Sequence, residues 1–383
     1  MQLLKLVAEQ VQVAVPLPFN VRDASGGLLL ACGQKLHSQG QLLSLLERGM
    51  YADVQELRAL QAGQEIPTEA PSLASRWQQA VWSLDVMLKT LSDAEHFLSS
   101  CDEVTTELIT LARQDGDVAL YQSVRQENQQ LRLYGLTHSL HVATLCLMVA
   151  QRLGWPEERQ RCAVKAALTM NASIIELQGR YAMAGGRLTE SQREQIRRHP
   201  EDATKRLRAA GTADEEWLIA VAQHHEQPGG RGYPRGLTEV EELARLLRLV
   251  DVFMAKISAR INRPAMDIKL AARQTYEGAP GDAMVAALIK EFGMYPPGEL
   301  LRLASGELAV VVRRGASLQC PVVMTLVDAQ GKACSEPMCR DTSRPEHAVA
   351  AVVPDKSLLA RLPSERLYGL YGLHGLDALN PLH

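Results

Sequence analysis

The feature that most constrains the fold is a helical periodicity that runs almost without interruption over residues 132–304. Apolar side chains recur there at spacings of three and four, and short loops with glycine or proline separate the segments. After Leu303 the pattern changes to short β-branched runs at 308–313, 321–327 and 348–353. Such runs, with turn residues between them, are typical of a small antiparallel sheet. The sequence therefore predicts a mainly α protein with a short β-rich C-terminal extension.

The first 65 residues have a different character. Val11–Pro16 alternates as a strand does, and Leu28–Ala31 is a short apolar run. A short amphipathic helix is predicted over Gln41–Arg48, because Gly49 follows it as a stop signal. We predict a small N-terminal α/β module over residues 1–65.

A break with two prolines separates this module from a second helical stretch over residues 72–131. Helical periodicity begins at Ser72, with an apolar stripe formed by Trp77, Val81, Leu84, Leu88 and Leu91. Such a stripe usually packs into a core, and a homodimer interface is the alternative. The predicted divisions are therefore an N-terminal module (1–65), a helical connector (72–131), a helical domain (132–305) and a C-terminal extension (306–383).

Charge and cysteine content narrow the class of protein. The formal net charge is −3, so no global basic field would hold a nucleic acid through its phosphates. The seven cysteines are scattered, and Cys146 and Cys162 lie in apolar helical patterns, which indicates reduced core thiols in a cytoplasmic protein. No apolar stretch approaches the roughly 20 residues of a membrane span.

Four histidines and one aspartate are the candidate chemical groups of the helical domain. His138 begins HSLHVATLCLMVA, His199 lies in IRRHPED, and His224 and His225 are adjacent in QHHEQPGG. Asp251 lies in the apolar segment LLRLVDVFMAKI, where a carboxylate is costly to bury unless it is paired or binds a cation. Because neutral imidazole is the commonest transition-metal ligand, we predict a metal centre inside the helical domain.

The order and spacing of these residues resemble the HD-GYP family. The matching positions are His138, Leu188-Thr189, His199-Pro200, the HHE of 224–226, the GYP of 232–234 and Asp251. The resemblance covers about residues 130–305 and is most specific in HHEQPGGRGYP. It implies an HD-domain-like helical bundle. It also implies the activity of that family, which hydrolyses the bacterial second messenger cyclic di-GMP at a centre of two or three metals, commonly iron or manganese.

The resemblance also implies a ligand-binding surface. In the HD-GYP family the GYP turn and an arginine-rich loop after the aspartate helix help to hold the dinucleotide. The corresponding residues here are Arg231, Gly232, Tyr233, Pro234, Arg260 and Arg263.

The family's defining His-Asp pair is replaced in this chain. Counting back about eighteen residues from Leu188-Thr189 gives Met170-Asn171. The aspartate of the family bridges two metals, and two nearby cations repel each other unless anionic ligands lie between them. Asn171 carries no charge, and the Met170 thioether is a poor partner for iron(II) or manganese(II). We therefore predict that the catalytic positions are lost.

Three further departures lie at family positions. Ile174 stands where the family has a lysine thought to assist at phosphate, and Tyr134 stands where trimetal members have a carboxylate. Gly229 replaces the aspartate that begins the family's DG-x-GYP turn. Together these changes remove carboxylate and ammonium groups from one pocket.

The surviving residues, His138, His199, His224, His225 and Asp251, are predicted to form a remnant metal set that holds no metal or one transition metal (iron, manganese or zinc). The predicted function is that of a bacterial signalling protein, catalytically silent, which acts through a protein partner or through ligand sensing. One alternative is a receptor that binds cyclic di-GMP without cutting it. Another is a residual metal-dependent phosphodiesterase.

Overall fold

A computed structural model describes residues 2–22, 28–36, 39–48, 50–66, 73–125, 131–184, 188–259, 263–315, 317–334, 337–355 and 358. The chain divides into two compact units, Met1–Met87 and Leu88–His383. The division falls within the predicted connector of residues 72–131. The finer four-part division stays a prediction.

The first unit contains a four-stranded antiparallel sheet in the order β1-β4-β2-β3. The strands are β1 Leu3–Lys5, β2 Val21–Arg22, β3 Leu28–Leu30 and β4 Tyr51–Asp53, and the helices are α1 Gln39–Arg48, α2 Val54–Gln61 and α3 Leu73–Lys89, which extends two residues past the division. The predicted α/β character of the module is thus confirmed. The predicted strand at Val11–Pro16 was wrong, because this segment forms only isolated bridges from Val13 and Pro16.

The second unit is built mainly from helices. They are α4 Ala94–Gln114, α5 Gly116–Arg125, α6 Leu131–Arg152, α7 Glu157–Thr169, α8 Ile175–Ala184, α9 Glu190–Ala209, α10 Glu215–Gln223, α11 Glu242–Ile257, α12 Ile268–Gly278 and α13 Ala283–Phe292. The predicted helical stretch over residues 72–131 is interrupted at 90–93, where the side chain of Asp93 caps the N-terminus of α4.

Helix α6 lies at the centre of this unit. Every residue from Tyr134 to Ala150 is buried, and the helix contacts α7, α8, α11 and α13. A helix that is apolar on all sides is expected to be surrounded by other elements. His138 is carried on this central helix and is therefore held inside the bundle.

A five-stranded antiparallel sheet follows the helices, in the order β8-β7-β6-β5-β9. Its strands are β5 Leu300–Leu303, β6 Leu308–Arg313, β7 Val322–Val327, β8 Cys339–Asp341 and β9 Val349–Val352. The three predicted β-branched runs are confirmed as β6, β7 and β9. Strands β5 and β8 were not predicted. Arg314 joins the sheet to the helices through ion pairs with Asp117 and Glu291.

Together the two units confirm the predicted mainly α fold with small sheets towards both ends of the chain. All seven cysteines are unpaired. Among the described residues, no helix combines the length and apolar character that a bilayer crossing requires.

Candidate metal centre

Three histidines from two parts of the bundle meet at one point. His199 lies on α9, which begins at a capping box between Thr189 and Gln192, and His224 and His225 follow the last turn of α10. Their candidate ligand atoms all lie within 4.8 Å of one another. The Nε2 atoms of His199 and His224 are 3.0 Å apart.

The backbone fixes which nitrogen of two of these rings carries the proton. Nδ1 of His199 lies 2.5 Å from the carbonyl oxygen of Ile196, and Nδ1 of His224 lies 2.7 Å from that of Val221. A carbonyl oxygen can only accept, so each Nδ1–H donates and each neutral ring keeps a lone pair on Nε2. The two lone pairs therefore face each other across 3.0 Å.

Burial keeps these rings neutral. It lowers the pKa of His199 to about 3, and it also lowers the pKa of His224 and of His225 below the ordinary value. Two facing lone pairs on neutral rings repel unless a cation or a proton lies between them, and the low pKa values disfavour the proton. The donor set therefore fits a transition-metal ion, for which neutral imidazole is a common ligand.

His138 and Asp251 form a separate pair beside this group. Nε2 of His138 lies 2.7 Å from Oδ1 of Asp251, and both side chains are buried. Burial alone would raise the pKa of Asp251, but the interaction with His138 outweighs it, and the pKa lies below its ordinary value. The ring of Tyr134 stacks on that of His138 at a centroid distance of 6.1 Å. The carboxylate is thus ionised and already engaged.

The segment that carries Met170 and Asn171 packs beside α9. Met170 caps the end of α7 and is fully buried, and Asn171 is buried as well. Two residues later, the hydroxyl of Ser173 donates to the carbonyl oxygen of His199 over 2.9 Å. The substituted pair therefore lies on the chain segment that contacts the His199 turn.

The turn after His225 is held by a buried carboxylate. Glu226, 1% exposed, accepts backbone hydrogen bonds from Arg235 at 2.7 Å, Gly236 at 3.2 Å and Leu237 at 3.0 Å. Within this turn, which comprises residues 226–237, Gly229 has a φ of +82°, a conformation that favours glycine. This arrangement fixes the return of the chain towards His225.

The same turn places an aromatic ring on the histidine cluster. The ring of Tyr233 stacks on that of His225 with centroids 4.6 Å apart, and its backbone N–H donates to the His225 carbonyl oxygen at 3.2 Å. A Cβ atom on Gly232 would lie 2.3 Å from the backbone of Glu226 and Gln227, so no side chain fits there. The Tyr233-Pro234 peptide bond is cis.

The other predicted ligand-binding residues are less closely tied to the cluster. Arg231 is exposed in the turn, and the exposed Arg263 donates a hydrogen bond to the carbonyl oxygen of Ala255. Arg260 lies outside the described residues. The predicted ligand-binding role of all these residues stays a prediction.

Two residues of the site were missed from the sequence. Glu226 belongs to the HHE block, and its role as the anchor of the turn could not be recognised without the backbone that it binds. Arg248 lies three residues before Asp251 on α11 and interacts electrostatically with Asp251, Tyr233 and His225. A spacing of three on one apolar helix was the available signal for Arg248.

The buried His141, which lies outside the histidine cluster, is expected to lower the free energy of unfolding in acid. His141 lies on α6, and burial together with His138 lowers its pKa from 6.5 to about 3. The unfolded chain therefore takes up a proton that the folded chain refuses, and the stabilisation present above pH 6.5 is lost as the pH falls towards 3. The slope is about 1.4 kcal/mol per pH unit for one proton.

We expect His141→Gln to reduce the fall in unfolding free energy between pH 7.5 and pH 5.5 by about 1 kcal/mol, because one acid-sensitive proton is removed. Urea titrations at the two pH values measure this difference. The matched control is His96→Gln, at a ring that is 74% exposed. An unchanged pH dependence in the His141 variant would contradict the assignment.

Residues 118–278 match the HD domain family HD_5. The cyclic di-GMP phosphodiesterase PA4108 of Pseudomonas aeruginosa is 29% identical over 270 residues, which is 69% of this chain and 64% of that protein. The cyclic di-GMP phosphodiesterase response regulator RpfG of Xanthomonas campestris is 31% identical over 195 residues, 49% of each chain.

Two further matches were found. The 3'3'-cGAMP-specific phosphodiesterase 1 of Vibrio cholerae is 31% identical over 135 residues, which is 34% of this chain and 31% of that protein. This chain thus spans less than two-thirds of the length of each of these three relatives. Among solved structures, Bd1817, an HDG"Y"P protein from Bdellovibrio bacteriovorus, aligns with 76% of this chain and 99% of its own at 13% identity and a TM-score of 0.48.

Proposed function

This chain belongs to the HD-GYP family, and on that premise we propose that it is a bacterial signalling protein whose helical domain senses a cyclic dinucleotide without hydrolysing it. The sequence relatives act on cyclic di-GMP or on 3'3'-cGAMP, as their names state. Cyclic di-GMP is the first candidate ligand because two of the three relatives are named for it.

The proposal rests on the arrangement of the three clustered histidines and Asp251. The Nε2 atoms of His199 and His224 face each other over 3.0 Å, and His225 completes a three-histidine set, but the available carboxylate of Asp251 is hydrogen-bonded to His138. Such a set supports one cation. Two adjacent cations would need a bridging anion, and at the position where the family resemblance implies that bridge the chain has the uncharged Asn171.

The metal fits three residues of this chain. His199, His224 and His225 would hold it, and when bound it would supply Lewis acidity and a fixed positive charge. Ile196 and Val221 orient two of the rings through their carbonyl oxygens, whether or not the ion is present. Iron, manganese and zinc are all compatible with imidazole ligands.

The turn of residues 226–237 supports ligand sensing. Tyr233 offers an aromatic ring at the edge of the histidine cluster, and aromatic rings in nucleotide sites serve as stacking platforms for bases. Gly232 permits the tight return of this turn, because a Cβ atom there would lie 2.3 Å from the backbone of Glu226 and Gln227. These residues could bind a dinucleotide without any step of catalysis.

A residual one-metal phosphodiesterase is the second candidate function. It is favoured by the three-histidine set, because three neutral ligands leave a coordination position for water. This candidate differs from the first in turnover alone, so one experiment separates the two.

The test combines metal analysis, binding and hydrolysis. Purified chain loaded with manganese, iron or zinc is expected to hold at most one metal per molecule, to bind cyclic di-GMP or 3'3'-cGAMP in calorimetry, and to show little or no linear product by chromatography. His199→Ala should abolish the metal, whereas the exposed His96→Ala should keep it. Two metals per chain with rapid turnover would refute the proposal, and so would the absence of binding to both dinucleotides.

The cytoplasmic location, the protein partner and the homodimer stay predictions. Light scattering of the purified chain tests the homodimer, and its dependence on added cyclic di-GMP tests whether ligand sensing changes the assembly.

A further inference from the structure

The guanidinium of Arg248 lies near the histidine cluster. It lies on α11 one turn before Asp251, so the two side chains leave the same face of that helix. It is half-buried and interacts electrostatically with Asp251, with His225 and with Tyr233, the ring stacked on His225. We propose that Arg248 binds a phosphate group of the ligand and supplies the positive charge that the site lacks at Ile174.

Arg248 is a partly buried guanidinium without a carboxylate partner among the described residues. Among the residues that the structure describes, no acidic side chain lies within ion-pair distance of it. Other arginines buried to a similar degree do have one: Arg159, Arg313, Arg314 and Arg340 each contact an aspartate or glutamate within 3.3 Å. Burial lowers the pKa of Arg248, which is the cost expected of a guanidinium withdrawn from water without a partner. A bound anion would remove that cost.

The charges around Arg248 leave its guanidinium available to an anion. Asp251, its nearest acidic neighbour along the helix, is hydrogen-bonded to His138 at 2.7 Å. Ile174 contributes no charge where the family resemblance implies a lysine. Among the described residues, Arg248 is the cation that interacts electrostatically with His225, and a metal held by the histidines would add to the positive potential.

The shape of the guanidinium also suits a phosphate. A guanidinium presents parallel N–H donors that match two oxygens of a phosphate, and it keeps its charge at every physiological pH. With Tyr233 as a surface for a base and Arg248 as a cation for a phosphate, the turn and α11 together offer both groups that a nucleotide needs. The phosphodiester of a cyclic dinucleotide is the ligand class that this pair suits.

The inference rests on the proposed function, so the experiment uses probes that separate the two. The full chain, its Arg248→Gln and Arg248→Lys variants and an Arg245→Gln control are titrated with cyclic di-GMP, 3'3'-cGAMP and inorganic phosphate. Arg245 lies one turn earlier on the same helix, is 42% exposed and pairs with Asp282, so it tests the loss of one charge from α11 outside the cluster. Thermal unfolding establishes that each variant is folded.

We expect Arg248→Gln to weaken binding at least tenfold, which corresponds to about 1.4 kcal/mol. The slope of the logarithm of affinity against that of salt concentration should fall by about one. Arg248→Lys should recover part of the affinity, and Arg245→Gln should stay within about twofold of the native chain, because a charge outside the cluster makes no contact with the phosphate.

Three results would overturn the inference: equal binding by the native chain and Arg248→Gln, an equal loss in Arg245→Gln, or no binding of any probe. If the native chain binds inorganic phosphate but neither dinucleotide, the proposed function fails, and the effect of Arg248→Gln on phosphate still decides the role of Arg248. If Arg248→Gln does not fold, the comparison of Arg248→Lys with Arg245→Gln decides it.

Discussion

Replacing Met170 by histidine and Asn171 by aspartate in one variant is expected to raise the hydrolysis of cyclic di-GMP by about a hundredfold or more, which is about 2.7 kcal/mol of transition-state stabilisation. The reason is that Asn171 is uncharged and cannot act as an anionic bridge between two metal ions. The three histidines can hold one ion, and Asp251 is engaged by His138. An aspartate at position 171 would restore the charge that a second ion needs.

The position is suited to this exchange. Aspartate is nearly isosteric with asparagine, and Asn171 lies two residues before the hydroxyl of Ser173 that contacts the His199 carbonyl. The new carboxylate would therefore be introduced on the segment that packs beside the cluster. Met170 is fully buried at the end of α7, and histidine fills a similar volume there.

Initial rates with manganese and metal content per chain are the two measurements. The double variant should hold two metals, and the single variants Met170→His and Asn171→Asp should each recover much less, because a metal pair requires both the ligand and the bridge. A folded double variant that holds two metals without faster hydrolysis would show that the substituted pair is not what limits this chain. A native chain that already turns over rapidly would contradict the premise.

The helical half of the fold was predictable because it depends on local patterns. Apolar spacing indicated helices across 132–304, and glycine and proline between β-branched runs indicated β6, β7 and β9. The four histidines and Asp251 could be identified from their unusual placement. Their division into a three-histidine group and a His138–Asp251 pair could not, since it depends on how α6, α9, α10 and α11 pack.

What the sequence did not reveal depends on contacts between distant segments or on a single cap. The break at 90–93 follows from the side chain of Asp93, which outweighs a continuous apolar pattern. Strand β5 becomes a strand because β6 and β9 pair with it on both sides. Arg248 is exceptional only because no described carboxylate lies within ion-pair distance of it, and the sequence alone cannot show the absence of a partner.

The largest expected effect on local stability is at Glu226. Its carboxylate is almost fully buried and accepts the backbone N–H groups of Arg235, Gly236 and Leu237. In Glu226→Ala all three donors, which are only partly buried, lose their acceptor, and each hydrogen bond to a charged group is worth about 1.5–3 kcal/mol. We expect the turn to open, with amide hydrogen exchange at residues 235–237 faster by about a hundredfold or more.

A graded series distinguishes the lost hydrogen bonds from a lost charge. Oε1 accepts from Arg235 and Gly236, and Oε2 accepts from Leu237. Glu226→Gln keeps one oxygen and should therefore protect the amides of Arg235 and Gly236 better than that of Leu237. Glu239→Ala removes an exposed carboxylate in the same loop and should leave exchange unchanged. Equal exchange in all three variants would show that this carboxylate does not hold the turn.

Opening this turn should also affect the histidine cluster, because Tyr233 belongs to the turn and its ring stacks on that of His225. If Glu226 holds that ring in place, Glu226→Ala should also weaken the binding of cyclic di-GMP more than it weakens the metal, since His199, His224 and His225 lie outside the turn itself. The alanine variant thus separates the two halves of the site: metal content reports on the histidines, and dinucleotide affinity reports on the turn. An equal loss of both would mean that the turn and the cluster form one cooperative unit.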